Sequence, residues 1–273
     1  MESATTSDLI FDLTEVSYRY NDVIALDKLS LSVARGQRIA ILGANGSGKS
    51  TLLRLLDGLY FAQSGATTFC GEPLNESSFR DEEFSFAFRR RVSLVFQNPD
   101  VQLFNPTVFD EVAFGPLQLR WPANQIKSRI VDTLRLLEIE DLRDRLPHHL
   151  SSGERKRVAL ASVLVLDPEV LLLDEPTSSL DPRSRSQMID LMVGWQGSGK
   201  TVVTATHELD IVADVADYCY VLQHGRVAAE GPAENVLRDE EMLRSTNLLH
   251  EHRHRHPSGV VHSHPHTHRD HQH

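Results

Sequence analysis

The sequence of 273 residues predicts an α/β fold, and three observations predict it. An apolar strand ending at Leu42 runs into a glycine-rich loop and then a helix, the order that a phosphate-binding loop requires. Val170–Leu173 and Val202–Thr206 are continuous apolar runs ending at Asp174 and His207, as in strands buried on both faces. Between these features, about Phe96 to Val165 reads as mainly helical.

In chain order, FDLTEVSYRY, LSLSVARG and QRIAILG read as three strands, and Arg35-Gly36 suits a turn. Lys49 to Leu56 follows the glycine loop as a helix. Gln125 to Leu137 places Ile126, Ile130, Leu134 and Leu137 on one helical face. Tyr218–Gln223 and Arg226–Ala229, split by His224-Gly225, read as a late hairpin. No internal repeat or sustained heptad is found.

Composition narrows the function classes. The chain is 40% hydrophobic and 24% charged, which suits a globular core and excludes fibrous or wholly disordered readings. Its net charge of -10 gives no general attraction for a phosphate backbone, so no nucleic-acid partner is expected. Two cysteines, Cys70 and Cys219, form no disulfide framework or CxxC metal site and are expected to be packing residues. MESATTSD at the start has no basic or apolar signal region. Val158–Ala161, Val163–Leu166 and Val170–Leu173 are far shorter than the roughly 20 residues of a membrane span, so the chain is not expected to cross a bilayer.

The segment from His250 to His273 stands apart. Ten of the 14 histidines lie there, with Arg253, Arg255 and Arg269 beside Glu251 and Asp270. It reads as a flexible, low-complexity tail. His250, His252, His254 and His256 alternate, and so do His262, His264, His266 and His268. Imidazole clusters of this kind bind Ni²⁺, Co²⁺, Cu²⁺ and Zn²⁺ without naming one. Interspersed Arg, Pro, Ser and Thr argue against a purification tag, and a solvated tail with no selected role stays open.

The chemistry concentrates in three motifs. GANGSGKST matches G-x-x-x-x-G-K-[ST] with Gly43, Gly48, Lys49 and Ser50. In such a loop Gly43, Asn45, Gly46, Ser47 and Gly48 turn backbone N–H groups toward phosphate oxygens, at a helix start that favours anions. Lys49 would reach the β- and γ-phosphates, and Ser50 would ligate Mg²⁺ with Thr51 beside it. LLLDEP brings Asp174 and Glu175 to the carboxyl end of a buried strand, where open α/β sheets bind ligands. Asp174 is placed to hold Mg²⁺ and Glu175 to deprotonate an attacking water; a solvated strand end turning at Pro176 is the plain alternative. LSSGERKRVALA contains Ser151-x-x-Glu154, which by itself is a capping box opening a helix.

The order GANGSGKST, VFQNP, LSSGE, LLLDEP, SSLD, TH resembles the ATP-binding-cassette ATPases over about residues 9 to 240. The resemblance implies a P-loop NTPase core of RecA-like type, an N-terminal antiparallel β subdomain and an α-helical signature subdomain at about 96–165. It implies an ATP hydrolase coupled to transmembrane transport, with ATP and Mg²⁺ as cofactors. It makes Gln97 the sensor of Mg²⁺ and γ-phosphate, and Glu175 the base. Ser151 and Gly153 would contact ATP held by an opposite subunit, Asp181 would touch that subunit, and His207 would contact γ-phosphate. Tyr20 is the candidate for stacking on adenine, with Tyr18 its rival and core packing the alternative for both. Ser152 departs from the family's usual LSGGQ, where a glycine stands.

The stretch Gln97 to Pro116 resembles energy-coupling-factor ATPases, and the whole chain looks most like the ATPase subunit of cobalt or nickel importers. That implies a second ATPase subunit, most simply another copy, together with a transmembrane coupling protein and a metal-binding membrane subunit at the cytoplasmic face of the cell membrane. Val101, Phe104 and Val108 are expected to be exposed toward the coupling protein, with packing of the helical subdomain as the alternative. Import of nickel or cobalt, uptake of another small cargo such as a vitamin, and soluble metal storage are the three functions to separate.

Overall fold

Asn21, with φ of 49°, turns the chain between its first two strands and starts an antiparallel sheet. The computed structural model describes residues 8–249 and the backbone of residues 251–255 and 261–265. The elements run β1 (Leu9–Tyr20), β2 (Val23–Ala34), β3 (Arg38–Leu42), α1 (Lys49–Leu56), β4 (Ser64–Phe69), β5 (Glu72–Pro73), α2 (Glu76–Phe79), α3 (Glu82–Arg91) and β6 (Val92–Val95). Then follow α4 (Val108–Gln118), α5 (Ala123–Leu136), α6 (Ser152–Leu164), β7 (Val170–Asp174), α7 (Pro182–Val193), β8 (Thr201–Thr206), α8 (Leu209–Val215), β9 (Tyr218–Gln223), β10 (Arg226–Pro232), α9 (Ala233–Arg238) and α10 (Glu240–Ser245).

Two sheets carry the fold. A four-stranded antiparallel sheet has the order β2-β1-β4-β5, and a six-stranded sheet has the order β10-β9-β3-β8-β7-β6. In the larger sheet only β10 runs antiparallel to its neighbour. Alternation along β7 explains its unbroken apolar run. Val170 and Leu172 face the core that holds α1, while Leu171 and Leu173 face the core of α4–α6. Both sets are buried, so neither face can be polar. β3 does the same: Ile39 and Ile41 join the α1 core, and Ala40 and Leu42 pack with α8 and α9. The carboxyl ends of β3, β8 and β7 therefore lie side by side, and the glycine loop, His207 and Glu175 emerge together.

The helical region is α4, α5 and α6 with short 3-10 turns between them, and Ile126, Ile130 and Leu134 of α5 are buried. Val108 is a correction to the sequence reading. It is fully buried as the first residue of α4, behind the Thr107 cap, and its N–H donates to the Arg145 carbonyl at 3.0 Å. Val101 and Phe104 are exposed, at 67% and 66%. Among the described residues no helix is long and apolar enough to cross a membrane. The backbone of β11 (Glu251–Arg255) and β12 (Val261–Pro265) pairs antiparallel, a pairing that a composition of alternating histidines does not reveal. The side chains of His250, His252, His254, His256, His262, His264, His266 and His268 lie outside the described residues.

At the end of α1, buried Asp57 takes the Arg89 Nη1 donor on Oδ2 at 3.3 Å and on its own carbonyl at 2.7 Å. Burial pushes its carboxyl up to about 7, and the Arg89 charge only partly opposes this. Between about pH 4 and pH 7 the folded chain keeps a proton there that the unfolded chain has lost. The stability contributed by this group is thus full below the unfolded value and lost as pH rises to about 7. Asp57→Asn lacks that slope. Its stability relative to wild type should rise by about 2–3 kcal/mol from pH 5 to pH 8, measured by urea unfolding at each pH.

Candidate nucleotide site

The site is built from the carboxyl ends of three adjacent strands. Gly48, with φ of 109°, ends the loop after β3 and caps α1, and a Cβ there would come within 2.6 Å of the Ala25 carbonyl. Only glycine permits that approach of the loop to β2. A cleft of about 500 Å³ opens above the loop, lined by Tyr20, Val23, Ile24, Ala25, Asn45, Gly46, Gly48, Lys49, Ser50, Thr51, Gln97 and Glu175. That volume suits a small-molecule ligand.

Lys49 is buried at the floor of the cleft. Its Nζ donates to the carbonyls of Gly43 at 2.7 Å and Ala44 at 3.3 Å, and lies 3.4 Å from Glu175 Oε1. Glu175 is 3% exposed and sits in the left-handed region, with φ of 48°. Such a backbone costs a bulky residue free energy and clusters at functional sites. His207 Nδ1 lies 2.9 Å from Glu175 Oε1, and Thr206 Oγ1 donates to Oε2 at 3.4 Å. A cation, an imidazole and a hydroxyl thus converge on one buried carboxylate.

Ser50 Oγ donates to Asp174 Oδ1 at 3.1 Å. Burial pushes the Asp174 carboxyl up, the Ser50 hydrogen bond pulls it down, and the neighbouring Glu175 charge raises it further. A hard cation bound there would relieve both the desolvation and the repulsion. The oxygen donor set of Ser50, Asp174 and Gln97 suits Mg²⁺. A triphosphate fits the loop as well: Ser47 Oγ is buried with no partner among the described residues, and Gly46 has open space where a side chain would stand. No group of three or more His, Cys, Asp or Glu side chains among the described residues is placed to hold a metal.

Tyr20 lies at the mouth of the cleft, its hydroxyl 3.3 Å from Thr51 Oγ1. Its ring meets Tyr18 and Tyr60 edge-on at 5.1 and 5.8 Å, whereas Tyr18 stacks on Tyr60 at 5.1 Å and packs against the core. Tyr20 and not Tyr18 therefore lines the cleft.

Other sequence candidates lie apart from the cleft. Ser151 caps α6, accepting the Glu154 N–H at 3.3 Å while Glu154 Oε2 takes the Ser151 N–H at 2.7 Å. A Cβ on Gly153 would fall 2.5 Å from Ser184 Oγ, so glycine is needed where α6 packs on α7. Ser152 turns its hydroxyl onto the Ser179 carbonyl at 3.1 Å, within its own chain. Asp181 caps α7 by accepting the Arg183 and Ser184 N–H groups, and the bonds from Ser184 pull its carboxyl below the usual range.

Three groups around the site escape sequence reasoning. Arg185 bridges Glu208 at 2.8 Å and Asp210 at 2.7 Å, tying α7 to the segment after His207. Gln102 accepts from the Phe96 N–H and donates to Ala159 O and Ser162 Oγ, tying the Gln97 segment to α6. Lys156 is buried beneath Glu175. Glu208 stands next to His207 in sequence, which was a usable signal; the other two need the packing.

Residues 26–178 match the family model of the ABC transporter. The chain belongs to that family. It is 53% identical over 242 residues, 88% of this chain and 95% of the relative, to the nickel import ATP-binding protein NikO of Rhodobacter capsulatus. It is 44% identical over 238 residues, 87% of this chain and 83% of the relative, to the energy-coupling factor transporter ATP-binding protein EcfA of Methanoculleus marisnigri. Among solved structures, cbiO1 from Clostridium perfringens, part of the ABC transporter complex cbiONQ, superposes with a TM-score of 0.74 at 38% identity, covering 88% of this chain and 95% of that one. These findings bear out the resemblance read from the motifs. This ABC ATPase binds ATP and couples its hydrolysis to transport.

Proposed function

We propose that this ABC ATPase powers import of a divalent transition metal, nickel or cobalt, through membrane partners. The observation that carries the cargo is the 53% identity to a nickel import subunit across 95% of that relative's length. The alternative, another small cargo such as a vitamin, is supported by the EcfA relatives. ATP-dependent uptake of labelled nickel and cobalt, in cells carrying the membrane partners, separates the two. Metal uptake that stops with Glu175→Gln supports the proposal. Uptake of a vitamin but of neither metal overturns it.

In this reading two copies of the chain face each other, and each triphosphate lies between one copy's glycine loop and the other's Ser151 and Gly153. The loop N–H groups and Lys49 hold the phosphates, and Tyr20 stacks on the base. When bound through Ser50, Asp174 and Gln97, Mg²⁺ would offset phosphate charge. Glu175 takes a proton from the attacking water as its oxygen joins the γ-phosphorus and the bond to the β-phosphate oxygen breaks. ADP and phosphate are the products. His207, at 2.9 Å, orients the carboxylate that does this. Asp181 at the start of α7 meets the other copy.

The membrane partners would meet the exposed surface after Gln97. Phe104 and Phe114 pack edge-on at 4.9 Å, and both are exposed, as is Val101. Buried Glu111 holds the loop beneath them, with Oε2 accepting the N–H groups of Phe104 at 2.9 Å and Asn105 at 2.7 Å. Phe104→Glu should lower co-purification with the coupling protein at least tenfold while leaving the thermal midpoint unchanged. Retained co-purification would remove this surface from the interface. The histidine tail would gather metal ions at the cytoplasmic face. Because imidazole binds metal only when neutral, that binding fades below about pH 6.

A further inference from the structure

Lys156 is a buried ammonium with no carboxylate in hydrogen-bond contact among the described residues. Its Nζ donates to the carbonyls of Glu175 at 3.0 Å, Pro176 at 3.3 Å and Ser178 at 2.5 Å, and to Ser178 Oγ at 3.1 Å. The Ser178 hydroxyl in turn donates to the Glu175 carbonyl at 2.9 Å. One side chain from α6 thus holds three backbone carbonyls of the segment that follows β7. Burial pushes this ammonium down to about 8, although the Glu175, Glu208 and Asp174 charges oppose the shift. Burying an ammonium on neutral carbonyls is costly, and an apolar side chain would fill the same space without that cost. What the ammonium adds is directional: its N–H groups set the positions of the Glu175, Pro176 and Ser178 carbonyls.

The turn needs such a hold. Glu175 has a left-handed backbone, and its carboxylate must stay with His207 and Lys49 at the floor of the cleft. The same helix α6 begins at Ser151, and Ser152 adds a second tie, from its hydroxyl to the Ser179 carbonyl.

We propose that Lys156 is a positioning residue for hydrolysis, fixing the Glu175 backbone from α6 so that movement of the Ser151–Gly153 end reaches the base. The proposal rests on the reading of Glu175 as the base and of Ser151 and Gly153 as contacts to the opposite nucleotide. In the full-length protein, Lys156→Met should lower kcat for ATP at least tenfold while KM and the Kd of a fluorescent ATP analogue change less than twofold. Lys156→Arg, which keeps charge and donors, should recover most of kcat. Hydrogen exchange of the Ser178–Leu180 amides should quicken in Lys156→Met while exchange in α1 is unchanged. A purely structural role would lower nucleotide binding and kcat together.

Unchanged kcat in Lys156→Met overturns the proposal, and so does loss of nucleotide binding in parallel with kcat. If Lys156→Met does not fold, Lys156→Arg decides: kcat retained near wild type with unchanged exchange supports the clamp, and kcat lost with unchanged exchange refutes it. Glu175→Gln is the control. If that variant turns over normally, the base assignment fails independently of Lys156.

Discussion

Glu175→Gln should lower ATP turnover by about 10²–10⁴-fold, the range for loss of a general base. The replacement keeps the size of the side chain and an oxygen that can accept from His207 and from Lys49, which lies 3.4 Å away. It removes only the basicity that takes the water proton and the negative charge beside Lys49. ATP affinity should therefore hold or rise, since Lys49 no longer divides its charge between a carboxylate and the phosphates. The result splits into two measurements: phosphate release collapses, while binding of a fluorescent ATP analogue stays within a few-fold. Turnover within threefold of wild type would show that the proton goes elsewhere, and the strained, 3%-exposed carboxylate would then be structural.

Lys49→Met should weaken ATP binding at least a hundredfold, by calorimetric titration with magnesium. A hydrogen bond to a charged group contributes roughly 1.5–3 kcal/mol, and Lys49 is placed to make such bonds to two phosphates. The loss has a second part. The Lys49 ammonium also satisfies the carbonyls of Gly43 and Ala44, and Glu175 lies buried beside it. Without the cation this carboxylate keeps, among the described residues, the His207 and Thr206 contacts, so the variant should also melt lower than wild type. Lys49→Arg should not rescue binding, because a planar fork cannot replace a point charge enclosed by loop carbonyls. Nucleotide affinity within fivefold of wild type in Lys49→Met would contradict the assignment.

Much of this site was legible because its signals are local. A strand, six loop residues and a helix start sit in one stretch, and the capping box of Ser151 and Glu154 spans four positions. β7 could be read because both of its faces are buried, which leaves an unbroken apolar run. β4 could not: SGATTF is exposed over its first three residues and shows no alternation that a reader would trust. Residues from Asp57 to Val95 were unread for that reason, although β6 completes the larger sheet and Arg89 braces Asp57.

The approach of His207 to Glu175 was also hidden. The two residues directly follow neighbouring parallel strands, and strand order in such a sheet depends on crossovers that no local pattern records. Val108 was misjudged because the first residue of a helix can face either way until the helix is docked. Lys156 was passed over because lysine on a helix is ordinarily a solvated residue. Its spacing from Gly153 and Leu160, on the buried face of α6, was the available hint.

The most direct test of the shared-cleft account is the mass of Glu175→Gln protein by light scattering, with magnesium and ATP present and then absent. A doubling of mass on adding ATP, with two nucleotides bound per pair and reversal by Ser151→Glu, is the outcome that follows from a triphosphate held between two copies. A protein that binds ATP yet keeps the mass of a single chain at every concentration would contradict it.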